Sequence, residues 1–133
     1  MNNYYISYLL NQMKIGKAKK VLFVETVYTN TNYSLLDIFF KIGIISGFKK
    51  IDNKKLRIFL KYKNNKSVIK DIQLVSKPTK RVYWSKRVIL NNLQKSDFFG
   101  FYIISTKKGL VTNFSYLYNN INFGGEVIIK IYV

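Results

Sequence analysis

Cysteine and histidine are absent from this chain, and proline occurs once, as Pro78. Without cysteine there is no disulfide framework and no thiolate metal site. Without histidine, Cys–His and Ser–His–Asp nucleophile systems are excluded, as are His-based metal sites. Acidic residues are scarce, six against 23 lysines and arginines. The six (Glu25, Asp37, Asp52, Asp71, Asp97 and Glu126) are scattered with no close pair, so paired-carboxylate chemistry could arise only through the fold. That inventory argues against an enzyme, and neither a cofactor nor a metal is expected. No apolar run reaches the roughly 18 residues of a transmembrane helix. The opening MNNYYISYLLNQMK lacks the basic lead and small-residue cleavage site of a secretory signal, and the Arg- and Ser-rich pattern of an imported presequence. No targeting segment is expected there.

What is present is apolar and basic. Hydrophobic residues make up 48% of the 133, with 11 Tyr, 10 Phe and one Trp. That is ample for a packed core and unlike a disordered basic tail. The length suits one domain, or two small lobes sharing a linker. The formal net charge is +17. Self-repulsion on that scale destabilises the compact state unless a polyanion offsets it, and counterion release would then make binding salt dependent. Asn, Lys, Ile, Phe and Tyr account for more than half of the residues, and Ala18 is the only alanine. Those favoured residues have A/T-rich codons. The bias points to an organelle-encoded protein, or to an A/T-rich bacterium or parasite. It explains much of the lysine and tyrosine, but not the shortage of acids.

Periodicity predicts a helix over residues 3–15, with Tyr5, Ile6, Leu9, Leu10 and Met13 on one stripe and Gly16 as its stop. The KAKK cluster reads equally as a solvated connector or as phosphate contacts, and the strand-like VLFVETVY follows it. Asn32 and Ser34 are cap candidates for a second helix running to about Ser46. Leu35, Ile38, Phe39, Ile42 and Ile45 are expected on its apolar face, with Gly43 weakening its interior and Gly47 as its C-cap. KLRIFLKY alternates as a strand, KNNK reads as a tight turn, and SVIKDIQLV reads as the next strand. The fold class is therefore α+β: an N-terminal α-β-α-β-β lobe over residues 1–75, with helices on one side of a small sheet, then a mostly β lobe over 76–133. The boundary is drawn at Ser76-Lys77-Pro78-Thr79-Lys80-Arg81. Beyond it come the short strand RVYW, a helical turn over 86–95, the strand FFGFYII, a short helical or irregular piece at 113–121, and the terminal strand EVIIKIYV. That last strand alternates to place Val127, Ile129, Ile131 and Val133 on one face.

The stretch Gly100–Glu126 carries the chemistry. Its apolar run breaks into Ser105, Thr106, Lys107, Lys108 and Gly109, and a Gly124-Gly125-Glu126 turn follows. Hydroxyls that donate and accept suit ribose 2′-OH groups and base edges, while lysines neutralise phosphates. Gly109, Gly124 and Gly125 would allow close backbone approach. Taken alone, the first turn is an ordinary polar hairpin and the glycine pair an ordinary strand entry. Lys77, Lys80 and Arg81 would form a second basic edge. Of Tyr83 and Trp84, one is expected in the core and the other free to stack on RNA. Lys14 and Lys17 on the first helix could meet another backbone segment.

With this order of elements set out, the chain resembles the S-eight family of small-subunit ribosomal proteins. LRIFLKY, IQLVSKP, KRVY, IISTKKGLVT and FGGEVIIKIYV carry the likeness over residues 56–133. Over 1–55 only the α-β-α order and the GFKKI segment match. Thr79 stands where the family usually has Gly, and Lys107 where it often has Ser. Asn113-Phe114-Ser115-Tyr116 replaces a basic helix start. The resemblance implies a structural protein that binds central-domain small-subunit rRNA, fixes a helical junction, aids subunit assembly and contacts neighbouring small-subunit proteins. It would be no enzyme, with no membrane insertion. The expected location is a ribosome, mitochondrial and organelle-encoded, and otherwise the cytoplasm of an A/T-rich organism. The alternative is a non-ribosomal basic protein binding anionic membrane surfaces, or RNA nonspecifically.

Overall fold

In the computed structural model, which describes residues 3–95, 100–118 and 121–133, helix α1 spans Asn3–Lys19. Its stripe of Ile6, Leu9, Leu10 and Met13 is buried, each side chain contributing about 2 kcal/mol as area removed from water. The helix does not stop at Gly16. A Cβ there would lie 2.9 Å from Leu60 Cδ1 and overlap Val24, so this glycine lets the helix pack closely on the sheet rather than ending it. Strands β1 (Phe23–Val27), β2 (Ile45–Lys50) and β3 (Lys55–Leu60) form that sheet in the order β1-β3-β2, with both pairings antiparallel. Leu56, Ile58 and Leu60 are buried in alternation along β3, as a half-covered strand requires. Helix α1 packs on β1 and β3, and helix α2 (Asn30–Ile42) on β2. Phe23 and Glu25 of β1 pair with Phe59 and Arg57 of β3 on the opposite face.

Both ends of α2 differ from the sequence expectation. Thr29 is the N-cap, its Oγ1 accepting from the Asn32 backbone N–H at 3.0 Å. Asn32 instead is buried, and its amide donates to the Val27 carbonyl at 3.0 Å. The helix ends at Ile42 because Gly43 takes the left-handed conformation, φ 95°, and donates to the Phe39 carbonyl. Gly43 is thus the C-cap, while Gly47 lies within β2 beside a register shift. Leu36 joins Leu35 and Phe39 in the core, whereas Ile42 is exposed and Ile45 is buried from a strand.

KNNK turns as expected, with Asn64 and Asn65 both left-handed (φ 56° and 64°) between β4 (Tyr62–Lys63) and β5 (Lys66–Ser67). The rest of SVIKDIQLV does not join the first sheet. Asp71–Leu74 forms β6, which lies beside β10 (Gly125–Tyr132) at one edge of the second sheet. Alternation predicts a strand but not its partner. The first sheet is therefore three-stranded, and the chain folds as two compact units, Met1–Asp71 and Ile72–Val133.

The second unit comprises β7 (Tyr83–Trp84), α3 (Lys86–Lys95), β8 (Gly100–Thr106), β9 (Gly109–Thr112), α4 (Ser115–Tyr118) and β10 (Gly125–Tyr132). Phe98 and Phe99 of the expected strand, and Asn119 and Asn120 of the expected helical piece, lie outside the described residues. The strand order is β6-β10-β8-β9, with β7 also pairing β10. Strand β10 carries a bulge: Val127 pairs Ile104, but Ile129 pairs Ile103. The extra residue breaks the expected alternation. Val127 therefore packs with Ile104, Ile89 and Tyr116, not on the face of Ile129 and Ile131. The architecture is α+β, with the β-rich part C-terminal. No helix among the described residues is long and apolar enough to cross a membrane.

Candidate nucleic-acid interface

Strands β8 and β9 are joined by the two residues Lys107 and Lys108, between the paired Thr106 and Gly109. Gly109 has φ 119°, a left-handed value that only glycine takes readily. The Thr106 hydroxyl closes the turn, donating to the Gly109 carbonyl at 2.8 Å and accepting from the Lys108 N–H at 3.3 Å. The Ser105 hydroxyl is half-buried and makes no hydrogen bond among the described residues. Lys107 and Lys108 are exposed.

The glycine pair is adjacent to this turn. Strands β8 and β10 run antiparallel with Ser105 opposite Glu126. A Cβ on Gly125 would lie 2.9 Å from the Ser105 carbonyl carbon and overlap its oxygen. A Cβ on Gly124 would lie 2.7 Å from Ser85 Cα and overlap the Trp84 carbonyl. Three backbone segments therefore meet where only glycine fits. Ser105, Thr106, Lys107, Lys108, Gly109, Gly124, Gly125 and Glu126 come together at one end of the sheet.

The segment before β7 completes the cluster. Arg81 Nη1 donates to Glu126 Oε2 at 3.2 Å, with the Glu126 side chain only 11% exposed. The lone acid is thus oriented by a cation at the same site. Tyr83 pairs with Glu126 in the β7–β10 register and is 70% exposed. Trp84 is half-buried, edge-on to Tyr102 with ring centroids 4.8 Å apart. Lys77 and Lys80 exchange backbone hydrogen bonds of 2.9 and 3.0 Å around Pro78 and Thr79, and both are exposed. Ser76, fully buried, holds this turn to β10: its Oγ accepts from the Val82 N–H at 3.1 Å and donates to the Val127 carbonyl at 2.5 Å.

Sequence reasoning missed two residues here. Phe123 lies under both turn lysines, with Lys107 Nζ 4.8 Å and Lys108 Nζ 5.9 Å from its ring centroid. Tyr116 donates its hydroxyl to the Phe123 carbonyl at 2.9 Å, and burial raises its pKa above the ordinary 10.0. Neither residue has a periodic signal, and Tyr116 looked only like the loss of a basic position. Lys14 and Lys17 belong to the other unit. Lys14 is exposed, whereas Lys17 is half-buried and its ammonium donates to the Lys70 carbonyl.

The profile of the family described as Ribosomal protein S8 matches residues 5–132. The small ribosomal subunit protein uS8m of Acanthamoeba castellanii is 33% identical, over 95% of this chain and 97% of that protein. The uS8 protein of Mycoplasmopsis pulmonis is 35% identical, over 96% of this chain and 95% of its own. That of Aliarcobacter butzleri is 34% identical, over 99% of this chain and all of its own. With the family profile spanning both units and such relatives matching nearly end to end, this chain belongs to the ribosomal protein S8 family, whose members are structural components of the small ribosomal subunit and not enzymes.

Proposed function

We propose that this chain binds the central domain of small-subunit rRNA through the cluster on its second unit, fixes a helical junction there and aids subunit assembly. The observation that carries this is the pairing of Ser105 with Glu126, which sets a hydroxyl-bearing turn beside a glycine pair with no side chain between them. Five exposed cations accompany them, Lys107 and Lys108 on the turn itself and Lys77, Lys80 and Arg81 on the segment whose Arg81 bonds Glu126. Such a surface suits the shallow minor groove of an A-form helix or an irregular loop beside one. There hydroxyls meet 2′-OH groups and base edges, and cations meet phosphates. Tyr83 offers an exposed ring for stacking. Thr106 contributes mainly by shaping the turn, leaving Ser105 and Glu126 as the polar groups with capacity for a base or ribose. Lys14 supplies a separate phosphate contact from the first unit. Neighbouring small-subunit proteins are the other partners, and the mitochondrial ribosome is the proposed location, supported by the A/T-biased composition and the uS8m relative.

Chemical footprinting of central-domain rRNA with and without the protein, across a salt titration, tests this. Protection confined to one irregular helix is expected. Thr106→Ala combined with Glu126→Ala should weaken selectivity for that helix more than Lys19→Ala does. Uniform protection of unrelated RNAs would leave only a nonspecific polycation.

A further inference from the structure

Two like-charged side chains share one ring in this site, and no carboxylate partners either of them among the described residues. Lys107 and Lys108 are consecutive in a two-residue turn. Side chains of consecutive turn residues would ordinarily diverge into solvent and repel each other. Here both ammonium groups lie over Phe123, at 4.8 and 5.9 Å from the ring centroid. The π face attracts a cation electrostatically. It also restricts the rotamer freedom that a long charged side chain otherwise loses on binding.

The ring is itself held. Phe123 directly precedes the glycine pair, and its carbonyl accepts from the Tyr116 hydroxyl at 2.9 Å. Tyr116 is 5% exposed and belongs to the core cluster with Ile89, Ile104 and Val127. A core residue therefore fixes the backbone that carries the ring, and the ring is a common contact for the two charges.

We infer that Phe123 is a positioning residue for RNA: it seats the Lys107 and Lys108 ammonium groups as a preformed fork for a single phosphodiester, with Tyr116 holding the ring in place. This rests on the rRNA-binding reading above. Two ammonium groups over one ring are mutually repulsive until an anion lies between them, so a phosphate completes the arrangement.

The experiment uses the full chain and three variants, Phe123→Leu, Phe123→Tyr and Tyr116→Phe. In the free protein, the Lys107 Cε protons should show an upfield ring-current shift, kept in Phe123→Tyr and lost in Phe123→Leu. That NMR readout needs no RNA, so its failure sinks this inference without touching the rRNA reading. Wild-type protein that shows no selective rRNA protection sinks the rRNA reading instead. With a central-domain rRNA fragment, Phe123→Leu should weaken binding about three- to tenfold at low salt. It should also lower the slope of log K against log salt by about one to two, as if one or two phosphate contacts were lost. Phe123→Tyr should restore both. Tyr116→Phe should fall between them. Adding Lys107→Ala and Lys108→Ala to Phe123→Leu should change little further, because the pair already acts through the ring. An unchanged salt slope in Phe123→Leu, or full additivity with the lysine changes, would show that the ring only fills space.

Discussion

Substituting Gly125 by alanine tests the contact on which the site's geometry depends. The new Cβ would lie 2.9 Å from the Ser105 carbonyl carbon and 3.0 Å from Ile104 Cγ2, and would overlap the Ser105 oxygen. Two of these three atoms are backbone, so no rotamer change relieves the clash. Strands β8 and β10 must instead separate locally by about 1 Å, an overpacking strain worth roughly 1–3 kcal/mol. Replacing glycine in a strand recovers about 0.5–1 kcal/mol of backbone entropy, so the net loss is about 0–2.5 kcal/mol, centred near 1 kcal/mol. For a chain of this size the central value lowers the melting temperature by roughly 3–8 °C. Trp84 is the sole tryptophan and pairs directly with Gly125, so its fluorescence in a urea titration reports on the affected unit. Gly47→Ala is the internal control, since nothing lies within 4 Å of a Cβ there; with the same entropy gain and no clash, its midpoint should lie at or above wild type. A Gly125→Ala midpoint equal to that of Gly47→Ala would refute the close approach of the two turns.

Two further substitutions test the supports of the same site. Tyr116→Phe removes the hydrogen bond to the Phe123 carbonyl and should lower stability by about 1 kcal/mol at neutral pH. Because burial raises the folded-state pKa above 10.0, the Tyr116 contribution is complete below pH 10 and is lost as pH rises through the higher folded value. The gap between wild type and Tyr116→Phe should therefore close in strongly alkaline buffer, as followed by urea unfolding from pH 8 upward. Ser76→Ala deprives the Val82 N–H of its acceptor and the Val127 carbonyl of a donor, which should cost about 1–3 kcal/mol. It should also loosen the Lys77–Arg81 segment, which amide hydrogen exchange at Val82 would detect.

The parts of this fold legible in the sequence were those whose signal is local. Alternation in KLRIFLKY identified β3, and Asn64-Asn65 announced a hairpin whose left-handed residues the structure contains. The glycines were harder, because one residue type serves three physical ends. Gly16 allows helix–sheet packing, Gly43 ends a helix through its positive φ, and Gly47 accompanies a register shift. Composition does not distinguish these uses; only the neighbours do. Pairing partners were likewise invisible, since Asp71–Leu74 looks the same whichever sheet receives it. The bulge in β10 defeated the alternation rule at Val127 because a single inserted residue inverts the face assignment. At the site, the hydroxyl and glycine turns were legible as turns. Their contact with Phe123 depends on the hydrogen bond that Tyr116 makes from earlier in the chain and on the β8–β9 hairpin, neither of which leaves a periodic trace.

The central position of β10 has a consequence for how the protein is made. β6, β7 and β8 all pair with residues 125–132, so none of those pairings exists while that stretch is still inside the translating ribosome. The three-stranded sheet of the N-terminal unit is complete at Leu60 and can form on the nascent chain. The unit carrying the candidate interface must wait, its apolar strands exposed, and the surface assigned to RNA comes into being only once residues 125–132 have emerged.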